Sequence, residues 1–178
     1  DELSALPVKP HLGLANLMRF NFQHADMRPL CQALIQQAEN NDDDAGALLD
    51  ASMILQFYGN AALGVQLQGE ALRICRNFRF AAARQPVRLR LLALMAPGGL
   101  MANIPVEALL EDSDIELIIY YATANEFRPE DIPDHDVLLV AMSETEANRP
   151  CLEFWQALLA QWSRPVLNNP RCIPNVAR

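Results

Sequence analysis

The chain has 178 residues, of which 51% are hydrophobic and 20% charged, and carries a formal net charge of −8. That composition supplies a core and excludes a disordered chain. The acidic surface repels nucleic-acid phosphates and anionic lipid headgroups, which excludes general binding to nucleic acid or to a membrane surface. The opening DELSALPVKP has neither a basic n-region nor an apolar h-region, and no apolar run reaches the ~20 residues of a spanning helix. A cytoplasmic location is expected. The missing initiator Met and the abrupt NVAR ending point to a piece of a longer polypeptide.

The first half carries a helical period. Within residues 11–23, Leu14, Leu17, Met18 and Phe22 fall near one face. Asp26 is placed to cap a second helix carrying Met27, Leu30, Cys31, Leu34, Ile35 and Ala38, which ends in the polar run at 40–44. Three adjacent Asp without a following Gly and a distal Glu do not fit a calcium loop. A third helix is predicted over residues 44–58; it is apolar on more than one side and therefore central. A fourth is predicted over residues 61–78, with Leu63, Leu67, Ala71, Ile74 and Phe78 in register. Residues 45–78 resemble a degenerate tetratricopeptide hand: helix, Gly-containing turn, helix, with Gly64 and Ala71 small where two helices approach. Ala71-Leu72 matches that family's Ala-Leu pair, whereas Gln68 stands where a large aromatic is usual. A plain small helical bundle is the alternative.

Residues 81–88 hold small residues, Pro86, Arg84 and Arg88, and separate two hydrophobic periods. They divide a helical, tetratricopeptide-like part, residues 1–82, from an α/β part, residues 86–178. In the second part, residues 89–96 predict a strand. Asn103 is placed to cap a helix with Pro105 as its second residue and Val106, Leu109 and Leu110 facing inward. Residues 115–123 predict a second strand, rich in β-branched and aromatic side chains. A two-proline loop, residues 127–135, leads to a third strand, 136–142, nearly all apolar and so buried on both faces. Residues 148–162 predict a helix capped by Asn148, with Leu152, Trp155, Leu158, Leu159 and Trp162 inward, and residues 164–170 a short fourth strand. Apolar strands alternating with helices give the expected fold class: α/β with an all-helical N-terminal part, the sheet being a small, open, parallel, Rossmann-like one of about four strands.

Ligands of open α/β sheets gather at the carboxyl ends of strands, near a switch in strand order. Gly98 and Gly99 follow the first strand, but the loop lacks both GxGxxG and GK[ST]. Backbone N–H groups beside Asn103 offer an anion site; a simple turn and cap is the other reading. Ser143, Glu144 and Arg149 follow the third strand and offer polar groups to a ligand, or form a solvated loop leading to the Asn148 cap. Asn168 and Asn169 orient a ligand through their amides, or make an ordinary Asn-Asn-Pro turn. The four cysteines are far apart, without CxxC, and only three histidines are present, so zinc spacing is absent and the thiols read as free in a reducing compartment. His135 lies between Asp134 and Asp136 at the amino end of its strand, the wrong edge for a site. No catalytic residue and no metal ligand is assigned.

The segments LLALMAPGGLMANIPVEALLE, IELIIYYAT, DHDVLLVAMSETEANRP and RPVLNNP resemble the region that precedes the catalytic core in bacterial ATP-grasp ligase-like proteins. In that family a tetratricopeptide-like helical segment is followed by a small pre-ATP-grasp α/β domain and then by the core. The resemblance covers residues 45–176 and is strongest over 89–111 and 134–170. It implies an accessory region of a carboxylate–amine ligase whose loops at 96–103, 143–149 and 168–169 help shape an acceptor pocket. ATP and magnesium belong to the downstream ATP-grasp core, the implied partner. None of the core's ligands is carried over, and Lys9 is the one lysine of the chain. Two further readings stand beside it: an interaction module whose helical half receives a peptide or protein in a groove, and a stand-alone small-molecule-binding α/β domain.

Overall fold

A computed structural model describes residues 11–125 and 127–172. The opening DELSALPVKP with Lys9, Glu126 and the closing NVAR lie outside the described residues. Four helices come first: α1 (Leu14–Phe22), α2 (Arg28–Asn40), α3 (Ala45–Phe57) and α4 (Ala61–Ile74). Then follow β1 (Asn77–Phe80), β2 (Leu89–Met95), the one-turn α5 (Val106–Leu109), β3 (Ile115–Tyr121), β4 (Val137–Val140), α6 (Arg149–Leu159) and β5 (Val166–Leu167). The chain is thus α/β, with a helical N-terminal part and a five-stranded mixed sheet in the order β1-β3-β2-β4-β5. Only β1 runs antiparallel to its neighbour; the other pairings are parallel. Among the described residues no helix is long and apolar enough to cross a membrane.

The antiparallel strand corrects the expected four-stranded parallel sheet. Residues 77–80 continue the helical register of α4 in sequence, yet Cys75 is already extended and Asn77 pairs with Tyr120, through to Phe80 with Leu117. The open edge of β3 needs a hydrogen-bonding partner, and Phe78 reaches complete burial from a strand. Tertiary pairing overrides the local period.

Strand alternation sorts the core into two layers. Leu91, Ala93 and Met95, with Leu117, Ile119 and Tyr121, join the side of the first five helices. Leu92, Leu94, Ile118, Tyr120, Leu138 and Val140 point the other way, onto α6 and Trp155. The first layer is continuous from Leu17, Leu34, Leu49, Ile54 and Ala71 to Phe78 and Ile119. Residues 81–88 are almost all exposed, but the apolar cluster runs beneath them from helices to sheet.

Helix α3 is central, as its composition requires, and the Asp44 carboxylate caps it by accepting the Ala47 N–H at 3.0 Å. The other helices differ from their sequence register. Phe22 is 73% exposed, because α1 ends there and the chain turns away through His24 at φ 55. Asp26 lies one residue outside the cap position of α2, yet still accepts the Arg28 N–H and pairs with its guanidinium. In α4 the buried face is Gly64, Gln68, Ala71 and Leu72, so Leu63 and Ile74 point outward. The reason is the close approach of α3: a Cβ on Gly64 stands 2.7 Å from the Ser52 carbonyl oxygen and 2.5 Å from Gln56 Cγ. Gly64→Ala is therefore expected to cost about 1–3 kcal/mol of stability. The check is a urea midpoint lowered at unchanged slope.

Candidate functional site

In the order β3-β2-β4 the chain leaves β2 to one side and returns to β4 on the other, so the ligand-prone crevice falls between the carboxyl ends of β2 and β4. The chain fills this crevice itself. After β2 a short 3-10 turn (Leu100–Ala102) brings Asn103 into a bridge with Met142. The Ile104 N–H donates to the Ala141 carbonyl at 2.7 Å and the Ser143 N–H to the Ala102 carbonyl at 2.9 Å. Two amide side chains lock the crossing. Asn103 accepts the Ala96 N–H at 2.7 Å and donates to the Ala96 carbonyl at 2.8 Å. Asn148 donates to the Ala102 and Ser143 carbonyls at 2.7 and 2.9 Å.

These bonds correct the expected Asn103 cap; Asn148 does stand at the cap position of α6, its carbonyl accepting the Leu152 N–H at 2.9 Å, but its side chain is turned elsewhere. Neither Asn103 nor Asn148 caps a helix through its side chain; α5 begins only at Val106, after Pro105. Crossing a sheet edge strands backbone carbonyls away from water, and the amides are drawn to them instead. Gly98 leans toward α4, its N–H donating to Gln68 Oε1 at 2.7 Å, which gives the buried Gln68 amide a partner. Gly99 stays exposed on the rim. Asn168, at φ 52, donates to the Val140 carbonyl at 2.7 Å, while Asn169 closes its own turn by accepting the Arg171 N–H. The predicted residues thus share one sheet edge, with Gly98, Asn103, Ser143 and Asn168 bonded to the chain itself. Glu144 and Arg149 are exposed charged groups there, with Glu146 between them, beside Met101, which is 84% exposed.

A second polar group lies inside the first layer, and sequence reasoning missed it. Asp50, buried in α3, accepts His11 Nδ1 at 3.1 Å, the Leu12 N–H at 2.7 Å and the Gly13 N–H at 3.0 Å. Glu107, buried in α5, accepts the Ala15 N–H at 3.1 Å. Two carboxylates from other helices therefore satisfy the amides leading into and opening α1. The His11 ring packs edge-on against Phe78 and Phe80, with centroids 4.9 and 4.8 Å away. Gly13 is required: at φ 83, an added Cβ would sit 2.6 Å from the Phe80 ring. Asp50 could be found from sequence as the one charge in an otherwise apolar helix; Glu107 carries no such signal.

Burial pushes the Glu107 carboxyl above its ordinary value of 4.5, with nearby His11 opposing the shift. It pushes the Tyr121 hydroxyl up as well. A raised carboxyl holds its proton more tightly in the folded state, so stability falls as pH rises from about 4.5 through the raised value. Glu107→Gln keeps an acceptor for the Ala15 N–H and removes the charge. Its thermal midpoint, relative to the parent, should therefore climb between pH 4 and pH 8; parallel profiles would count against an uncompensated buried carboxylate.

His135, Cys31 and Cys151 are spent on structure. His135 is buried, with Nδ1 on the Pro133 carbonyl at 2.9 Å and Nε2 accepting the Trp162 indole N–H at 3.2 Å, which sets its tautomer. Burial pushes the Cys151 thiol to about 11 and raises Cys31 too, so both stay protonated. Among the described residues no group of three His, Cys, Asp or Glu is set to hold a metal. Two cavities flank Glu107. One, of about 30 Å³, lies among Gln56, Gln68, Asn103 and Tyr121, where the buried Gln56 Nε2 finds no acceptor. The other, of about 330 Å³, opens between α1, β1 and the turn after α5. Compared with protein-family models, curated proteins and solved structures, the chain has no match in any of the three.

Proposed function

We propose that this chain is the accessory region preceding the core of an ATP-grasp-type carboxylate–amine ligase, working in the cytoplasm. On this reading α3 and α4 are a tetratricopeptide-like hand and the sheet is a Rossmann-like, pre-ATP-grasp domain. The observation that carries it is the sealed crevice between β2 and β4. The place where a free-standing sheet of this order takes its ligand is filled by Asn103, Ile104 and their bonds to residues 141–148. The sealing segments coincide with those in which the ligase resemblance is strongest, residues 89–111 and 134–170. Binding of ATP and magnesium then falls to a core outside these residues. The sealed edge, with Arg149, Glu144 and Met101 outward, meets that core and borders the acceptor side of its pocket.

The helical half has less claim to be a peptide-binding groove, because its inner apolar faces are spent on one another and on the cluster shared with the sheet. The test is expression of the chain together with the polypeptide encoded after it. The longer protein should release ADP when given an acceptor carboxylate and an amine. Arg149→Ala should raise the KM for the acceptor about tenfold, leave that for ATP unchanged, and so report acceptor binding alone. ADP release by this chain alone, or no ATP-dependent activity in the longer protein, would overturn the reading.

A further inference from the structure

The smaller cavity, of about 30 Å³, sits where the helical part meets the sheet. About 10–15 Å³ holds one water molecule, so this space suits one or two waters and is too small for an organic ligand. Three elements give it polar walls: α3 through Gln56, α5 through Glu107 and β3 through Tyr121. Met53 and Met95 supply apolar wall. Gln56 Nε2 is buried and, among the described residues, has no hydrogen-bond acceptor. An unpaired amide N–H inside a protein is costly, and buried donors are nearly always met by protein or by ordered water. The Gln56 stem is held against α4, where a Cβ on Gly64 would stand 2.5 Å from its Cγ. Glu107 accepts the Leu14 and Ala15 N–H groups, yet a carboxylate offers about four acceptor sites, so lone pairs remain for a further donor. The occupant must therefore accept from one wall and donate to another. A cation accepts nothing, and an anion would stand against the Glu107 carboxylate; water does both.

We infer that this cavity is the site of an ordered water that accepts the Gln56 side-chain N–H and donates to Glu107, with the Tyr121 hydroxyl as its third partner. The water ties α3 and α5 to β3 at one point. The inference does not depend on the ligase reading, since it concerns only the junction of these three elements.

A high-resolution crystal structure of the chain reads the site directly: density is expected at hydrogen-bonding distance, about 3 Å, from Gln56 Nε2. The sign of a substitution gives an independent reading. Gln56→Met keeps the length of the side chain and removes the amide. From a dry cavity the variant would lose only an unpaired donor, and its thermal midpoint would stay or rise. With the water in place it loses a hydrogen bond and leaves that water short of a partner, so the midpoint should fall by about 2–4 °C. Tyr121→Phe should lower it by a similar amount. The double variant should lose less than the sum of the two, because both side chains hold the same molecule. No density in the cavity, a midpoint unchanged or raised in Gln56→Met, or additive losses in the double variant would overturn the inference.

Discussion

Replacing Trp155 with alanine is expected to lower the stability of the chain by about 3–5 kcal/mol. The side chain is fully buried at the centre of the second core layer. It stands edge-on to Tyr120, Phe127 and Trp162, with centroids 6.0, 5.3 and 6.4 Å away. Its indole N–H donates to the Thr123 carbonyl at 3.1 Å. Alanine leaves a cavity and strands that carbonyl, and α6 is the α-helix that covers this face of the sheet. Domains of this size carry about 5–15 kcal/mol in all, so the variant should sit close to its threshold at 37 °C. Trp155→Phe keeps the ring packing, loses the N–H, and should cost about half as much. Urea denaturation followed by circular dichroism measures both; a loss below about 1 kcal/mol for the alanine variant would mean that α6 is not anchored as described.

Asp50→Ala is expected to cost a similar amount, about 3–5 kcal/mol, for a different reason. One carboxylate, itself 2% exposed, holds three donors: His11 Nδ1 and the Leu12 and Gly13 amides. Removing it leaves all three unpaired and frees the entry to α1, whose Leu17 is wholly buried in the first layer. The damage should be local before it is global: amide exchange in α1 should accelerate far more than in β2 or β3. Asp50→Asn keeps one acceptor oxygen and should lose roughly half as much. Equal exchange in all elements, or equal effects of Ala and Asn, would show that Asp50 is not the anchor of α1.

The fold was legible where local chemistry decides it. Strands β2, β3 and β4 are apolar runs bounded by turn residues, and α3 announces its burial by being apolar on more than one side. What was not legible depends on a partner remote in sequence. Phe78 and Phe80 take strand geometry because β3 offers an edge some 40 residues away. Asn103 looks like a cap because Asn before a Pro-containing first turn usually is one; its amide instead closes on Ala96. The candidate edge was found through the general rule about strand carboxyl ends, but that rule does not say whether the chain will seal its own crevice. Asp50 and Glu107 serve an α1 that lies 37 and 92 residues away in sequence, a distance over which no spacing pattern carries a signal.

The most direct measurement is calorimetric titration of magnesium ATP into this chain by itself. With the space between β2 and β4 occupied by residues 100–104 and clasped by Asn103 and Asn148, the heats should match dilution into buffer throughout. Saturable one-to-one binding in the micromolar range, lost on altering Gly98 or Gly99, would contradict the account.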